Sequence, residues 1–576
     1  MSFTPAITEQ KFVLDHVVDL SDLARTDRFA GASDEIVEAV LDAAGQFAAG
    51  EWAPLDRAGD TIGARWTEKG VVMPAGYREA YRDYVEGGWS AMGVPEGFGG
   101  HGLPFCVSSA VFETLGTANM GFALCPMLTM GAIEALMHHG SATQQAFYLP
   151  RLVTGEWSGT MNLTEPQAGS DVGALAARAT PRGDGTFSIE GTKIFISFGD
   201  HDLCDNIVHL VLARTPDAPA GTKGISLFLV PKYRLDDKGD PGPFNDVRVV
   251  SIEHKMGLHA SPTCVLSFGE QGDCIGELVG AERGGMRAMF TMMNNARLNV
   301  GMQGVQVAER ATQRAVEYAR ARIQGTRAGE AGAGPVAIVE HPDVRRMLMR
   351  MKAQTMAARA LVYLAAGQVD RATLGDVEAK ARLDLLTPLA KAHATDLANE
   401  VASIGIQVHG GMGYIEETGA AQHFRDARII PIYEGTNGIQ AADLVGRKLG
   451  LDNGGVFQRM IVQMRAEAEA PVLVALIDAC EEIARYLATS ETNDRLAASY
   501  PFLTMISVAV CGWLMERQGR IAARNALDAP SEFLAMKVAA VRFYVEQIVP
   551  EASGLKQAAL ADAAILYAVD ASAFAA

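Results

Sequence analysis

Cysteine is scarce and scattered: seven among 576 residues, at Cys106, Cys125, Cys204, Cys264, Cys274, Cys480 and Cys511. No two form a C-x-x-C pair and the number is odd, which excludes a disulfide framework and a thiolate zinc site. The remaining reading is small hydrophobes buried in a reducing compartment. Positive charge is also in deficit, with 50 Lys and Arg against 68 Asp and Glu, a net charge of −18. A nucleic-acid-binding protein needs clustered Lys and Arg for the phosphates, so nucleic acid is excluded as the main partner. One bound nucleotide, which needs only a few local donors, is not. Long hydrophobic runs are missing too. The longest, Phe502 to Met515, is broken by Thr504, Ser507 and Gly512 and falls short of the ~20 residues of a spanning helix, so it reads as a buried helix. The opening Met1-Ser2-Phe3-Thr4-Pro5 has no basic stretch leading into an apolar one, so no signal peptide is expected and the protein is read as cytoplasmic with no membrane span. Finally, no G-x-G-x-x-G turn follows a strand and no P-loop occurs.

What is present is the composition of a soluble globular protein, 49% hydrophobic and 20% charged, on a chain long enough for about three or four domains. Residues 1–35 form a mixed lead-in. From Ser33 a helical pattern begins, with Ile36, Val37, Val40 and Leu41 on one face, and it opens an N-terminal helical domain over 36–156. Around residue 157 the texture changes. Phe187 and Ile189, then Ile194 and Ile196, alternate with other residues after the turn Thr180–Gly185, which predicts a middle antiparallel β domain over 157–280. Helical texture returns over 281–452, interrupted by the Gly/Ala-rich surface loop Gly325–Pro335. Residues 453–576 form an extra C-terminal helical block. The expected class is therefore α+β and mostly helical, with no internal repeat.

Four runs carry chemistry. Met161-Asn162-Leu163-Thr164-Glu165-Pro166-Gln167-Ala168-Gly169-Ser170-Asp171 is a turn-rich loop with hydroxyls and a glycine that lets a ring approach the backbone; its plain alternative is a structural turn. Lys193-Ile194-Phe195-Ile196-Ser197 reads as a half-buried strand, or as a strand whose Phe195 packs on a flat ring. Gln407-Val408-His409-Gly410-Gly411-Met412-Gly413 is either a helix stop or a backbone open to phosphate or adenosine. Last, Ile429-Ile430-Pro431-Ile432 delivers Tyr433-Glu434-Gly435-Thr436-Asn437 from an apolar run into a bend. A carboxylate there is partly desolvated, and its pKa rises toward that of a useful base.

Together, in this order, the T-E-P-x-A-G-S-D loop, the K-x-F-I-S strand, the Q-x-x-G-G turn and the Y-E-G-T site resemble the acyl-CoA dehydrogenase family over roughly residues 35–450. The resemblance implies FAD between the β domain and the later helices. Met161, Leu163 and Thr164 would border the flavin, with Gly169 and Ser170 near the phosphates. Phe195, Ile196 and Ser197 would cover and bind the ring, and Thr436 and Asn437 would contact it after the base. Arg322 and Gln324 match an arm to the neighbouring subunit's FAD, and Gln407, Gly410 and Gly411 the adenine-side turn. Ser170, Asn294, Arg297, Tyr433 and Gly435 would serve the acyl-CoA substrate. Glu434 would take the α-proton while the β-hydrogen leaves as hydride to flavin N5, giving a trans-2-enoyl-CoA, with electrons passed to an electron-transfer flavoprotein. No metal is implied, and a homodimer or homotetramer is.

Where fatty-acyl members carry a short R-x-x-F-G, Arg322-Ile323-Gln324-Gly325 runs into the Gly/Ala-rich stretch, and Asn294 stands where many carry an acid. These features, with the extra C-terminal block, are similar to the larger bacterial subfamily that includes 3-methylmercaptopropionyl-CoA dehydrogenase. The expected substrate is that thioester or a short- to medium-chain acyl-CoA. The rivals are an acyl-CoA oxidase, a nucleic-acid-associated flavoprotein and a non-catalytic relative. The second needs a basic C-terminal region, whereas residues 451–576 hold 10 Lys and Arg against 15 Asp and Glu; the third would have lost Glu434.

Overall fold

A computed structural model describes residues 3–329 and 334–576. The chain forms two compact units, neither continuous in sequence: Ala43–Leu103 with Ala118–Ala296, and Met1–Asp42 with Pro104–Thr117 and Arg297–Ala576. We call them the sheet unit and the helical unit.

In the sheet unit a small hairpin, β1 (Arg65–Thr67) and β2 (Gly70–Val72), precedes helices Tyr77–Glu86, Met120–His139 and Ala142–Thr154. Asn119 caps the second by accepting from the Phe122 N–H, and Ser141 and Gln144 form a capping box on the third. The strands are β3 (Trp157–Asn162), β4 (Arg178–Pro181), β5 (Phe187–Ser197), β6 (Asn206–Arg214), β7 (Ile225–Pro231), β8 (Tyr233–Leu235), β9 (Pro241–Phe244), β10 (Val247–Ile252), β11 (Thr263–Phe268) and β12 (Ile275–Val279). Eight build the main sheet in the order β10-β11-β5-β12-β7-β6-β3, with β4 against β5 and β6. The long β5 joins two half-sheets, pairing with β11 at one end and with β12 and β4 at the other. The domain is mostly antiparallel; besides the single parallel pair Arg178↔Arg214 of β4 with β6, the exception is β3, which runs parallel to β6 from Trp157↔Asn206 to Asn162↔Val211. That pairing is long-range, and no local turn signal announces it.

Helix Met120–His139 is long and apolar enough to cross a membrane by length and composition, but 78% of its most apolar window is buried in protein. Ala132, Ile133 and Leu136 pack there with Trp157, Leu210 and Met292. Among the described residues this helix, rather than Phe502–Met515, is the one long and apolar enough to span, although Thr129 and Glu134 interrupt its apolar run.

The helical unit contains most of the long helix Gly285–Ala321, then Pro342–Thr373, Val377–His409 and Asn437–Gly446. The C-terminal region adds Gly455–Glu467, Pro471–Thr489, Ser499–Asp528 and Glu532–Phe543. The apolar run Phe502–Met515 lies within Ser499–Asp528 and is largely buried. The lead-in is not loose: helix Ile7–Val13 brings Glu9 to Lys537 of the C-terminal region in a buried ion pair of 2.6 Å. Deeper in, Arg359 bridges Glu113 and Glu309 at 2.8 Å each, and the Tyr363 hydroxyl donates to Glu113. Of the expected loop Gly325–Pro335, residues 330–333 lie outside the described residues; its base is closed by the Gln324 N–H donating to Val336 O at 2.9 Å. All seven cysteines are free, and six are buried. Among the described residues no group of three or more His, Cys, Asp or Glu is gathered as a metal site.

Candidate active site

In the sheet unit the first two motifs are joined. The Ile194 N–H donates to Thr164 O at 2.9 Å, and the loop Glu165–Ala168 closes on itself through two backbone bonds. Two residues to which the sequence reading gave no role hold the loop in place. Lys193 Nζ donates to Glu165 at 2.8 Å and to Leu163 O at 3.0 Å, and the Glu165 carboxylate also accepts from the Ala176 and Ala177 N–H groups. Burial pushes the Glu165 carboxyl up, but Lys193 and the two amides outweigh it and leave it below its ordinary value. Burial pulls Lys193 down to about 8 against the pull of Glu165.

The strand itself is bulged. Cys264 pairs with Ile196 and Leu266 with Lys193, so Ile194 and Phe195 together face one residue of β11. The extra residue, Phe195, takes a left-handed φ of 60°, which is costly for an aromatic residue. The bulge leaves its ring 59% exposed while Ile196 turns into the core at 2%. Phe195 is therefore available to a flat ring. The Ile196 side chain is not, because it packs with Ala177, Ile189 and Leu266; only its backbone is left for a cofactor. Met161 and Leu163 are half-buried against the core, Thr164 and Ser197 are half-buried, and Gly169 and Ser170 are exposed.

In the helical unit, turns over 428–435 carry the chain from helix Ala420–Ala427 to Thr436, which caps Asn437–Gly446 by accepting from the Ile439 N–H. Of the apolar run expected to bury the base, Ile430 is fully buried but Ile432 is 46% exposed. Glu434 is desolvated all the same. Glu434 and Gly435 are successive left-handed residues, with φ of 55° and 84°; a non-glycine residue held so is strained. A Cβ on Gly435 would sit 2.9 Å from the movable end of Gln440, Nε2, and 3.8 Å from Arg297 Nη2, so it is the left-handed φ that calls for glycine here. Glu434 is half-buried. Desolvation raises its pKa, opposed by Arg297 and Lys391. Among the described residues neither its carboxylate nor its backbone N–H makes a hydrogen bond. Tyr433 donates its hydroxyl to Gln303. Buried and without partners stand Arg297 Nε, Gln303 Nε2 and both amide atoms of Gln440, an unusual concentration of unmet polar groups around one bend.

Asn437, matched above to a flavin contact, turns its side chain into the helical unit. Its side chain is 3% exposed and fully engaged within the unit: Oδ1 accepts from Lys391 Nζ at 2.8 Å, and Nδ2 donates to Asp396 Oδ1 at 2.8 Å. It has no side-chain donor left for a ring. Lys391, Asp396, Gln303 and Gln440 escaped the sequence reading because each sits inside a helix, where one polar residue carries no local signature.

The remaining matched residues lie elsewhere in the helical unit. Gly410 ends helix Val377–His409 with φ 60°. Nothing lies within 4 Å of a Cβ built on it or on Gly411, and Gln407 is exposed. The stop and the open backbone are thus one feature. Arg322 donates to Gln324 at 3.2 Å on the exposed base of the loop. Asn294 lies on helix Gly285–Ala321, its side chain outside the described residues. Within the sheet unit, an exposed ring on a strained bulge suits a flat cofactor ring; within the helical unit, two glycines with open faces suit a phosphate or adenosine, and unmet donors beside a desolvated carboxylate suit an acyl thioester.

Comparison with known proteins adds four matches along the chain: "Acyl-CoA dehydrogenase, N-terminal domain" over residues 34–156, "middle domain" over 160–270, "C-terminal domain" over 283–449, and "Acetyl-CoA dehydrogenase C-terminal like" over 457–570. A 3-methylmercaptopropionyl-CoA dehydrogenase of Ruegeria pomeroyi is 44% identical over 96% of this chain and 97% of its own. A butyryl-CoA dehydrogenase of Syntrophomonas wolfei is 34% identical over 95% of both. The solved acyl-CoA dehydrogenase of Bacillus anthracis complexed with FAD superposes with a TM-score of 0.74 over 92% of this chain and 88% of its own, at 21% identity, a likeness of fold.

Proposed function

Since the chain belongs to the acyl-CoA dehydrogenase family, FAD-dependent oxidoreductases acting on CH–CH groups, we propose that Glu434 is the base that removes the α-proton of the acyl-CoA. The observation that carries this reading is the desolvated carboxylate on a strained bend, free of hydrogen bonds, with a free backbone N–H beside it. The α-proton of a thioester is weakly acidic, so the base needs a raised pKa and the carbonyl needs a donor. Burial supplies the first, and the Glu434 N–H is in place to donate to the thioester oxygen. Burial is the larger influence, and the charges of Arg297 and Lys391 oppose that rise. Bound FAD supplies the hydride acceptor. Phe195 and the Thr164 loop offer its ring a face and an edge.

The acyl chain is the finer question. The relatives act on 3-methylmercaptopropionyl-CoA and on butyryl-CoA by name, which supports a short acyl thioester. A trans-2-enoyl-CoA product, an electron-transfer flavoprotein as acceptor, a homodimeric or homotetrameric holoenzyme and a cytoplasmic location complete the proposal. Its test is anaerobic addition of a panel of acyl-CoAs, 3-methylmercaptopropionyl and C4 to C8, to the holoenzyme. Rapid bleaching of the oxidised flavin with release of a 2-enoyl-CoA is expected for the short thioesters. No bleaching by any of them would contradict the reading, and reoxidation by oxygen as fast as by an electron-transfer flavoprotein would make the protein an oxidase.

A further inference from the structure

Behind Glu434 lies a continuous polar chain that the proton-abstraction step does not itself require. It starts in the C-terminal region at Tyr500, on helix Ser499–Asp528, whose hydroxyl donates to Asp396 Oδ2 at 2.6 Å. Asp396 Oδ1 accepts from Asn437 Nδ2 at 2.8 Å, and Asn437 Oδ1 accepts from Lys391 Nζ at 2.8 Å. Lysine can only donate and an ionised carboxylate only accept, so the amide between them has one orientation. Thr395 braces it, accepting from Nδ2 at 2.9 Å. Lys391 is fully buried. An ammonium there with only one side-chain acceptor is costly; that acceptor, Asn437, belongs to the same Tyr433–Asn437 bend as Glu434, and the Lys391 charge opposes the rise of the Glu434 pKa.

We infer that Lys391 is a positioning residue for the base, its ammonium held charged beside Glu434 by Asn437 and Asp396, and that Tyr500 makes the C-terminal region part of that device. This rests on Glu434 being the base. The charges bearing on the device come from four elements. Glu434 meets Arg297 and Lys391. Lys391 meets Asp396, Glu434 and Arg297. Asp396 meets Tyr500, Asn437, Lys391 and Arg428. Burial draws Lys391 down to about 7, against Asp396 and Glu434. Burial also raises Asp396, against the hydrogen bonds from Tyr500 and Asn437. The signs then chain together. Losing the Tyr500 hydroxyl makes Asp396 easier to protonate. A protonated Asp396 no longer holds Lys391 charged, and a neutral Lys391 no longer restrains Glu434. Each step raises the pH below which the base is silent.

The test is the pH dependence of anaerobic single-turnover flavin reduction in the holoenzyme, paired with infrared titration of the Glu434 carboxyl, assigned by difference from Glu434→Gln. Lys391→Met is expected to move both midpoints up by about 1 unit, the size of one lost neighbouring charge. Tyr500→Phe, at a half-exposed site that tolerates the change, moves them the same way by less. Lys391→Arg, which keeps the charge, returns both toward the parent. Midpoints in Tyr500→Phe and Lys391→Met that coincide with the parent, whatever the rates, would overturn the inference. Parent-like reduction by Glu434→Gln would instead overturn the base assignment on which it rests.

Discussion

Glu434 is one acid among 68 acidic residues, and composition alone would not select it. Its neighbours in sequence do, and the structure alters the reason. The apolar run before it is only partly buried, and the left-handed pair Glu434-Gly435 and the charges of Arg297 and Lys391 mark the site instead. Phe195 has the same character: a left-handed, exposed aromatic residue whose strain has no packing return. Because its ring touches no core cluster, Phe195→Ala is expected to leave the melting temperature within a few degrees of the parent while lowering the flavin retained per polypeptide after gel filtration. Undiminished flavin content would remove Phe195 from the cofactor site. Lys391 and Tyr500 were illegible for a physical reason. They reach the base across turns of different helices, and sequence spacing reports only neighbours on one helix face.

At the scale of elements, the strand alternation of β5 and the helical periodicity were legible in local pattern. The bulge at Ile194-Phe195 and the parallel pairing of β3 with β6 were not, because both depend on a partner strand distant in sequence. The motif nonetheless contained the means of its own support: Glu165 and Lys193, 28 residues apart, fasten the turn to the strand. Removing one partner leaves the other charge buried, a loss of about 3–5 kcal/mol. Lys193→Met should therefore lower the urea midpoint and open the loop to proteolysis near Glu165. The double variant Lys193→Met with Glu165→Gln should recover part of the loss. A single variant as stable as the parent would refute this role.

For the whole molecule, the order of helices, sheet and helices was legible from texture, but the way the chain closes was not. The lead-in was read as a separate segment, whereas Glu9 pairs with Lys537 across 528 residues, and the buried cluster of Arg359, Glu113 and Glu309 ties three distant stretches of the helical unit. The sequence of the C-terminal block shows helical texture but no readable role. Its helix Ser499–Asp528 does pack, and it also carries the hydroxyl that begins the chain toward the base.

The central claim, that Glu434 removes the α-proton, is tested most directly by the single-turnover rate of flavin reduction in Glu434→Gln holoenzyme at saturating short-chain acyl-CoA. The substitution preserves shape and leaves the backbone N–H in place but cannot accept the proton. The account predicts a fall of at least about 10² to 10⁴-fold, the usual contribution of a positioned base, with flavin content and acyl-CoA binding retained. Reduction within a few-fold of the parent would contradict it.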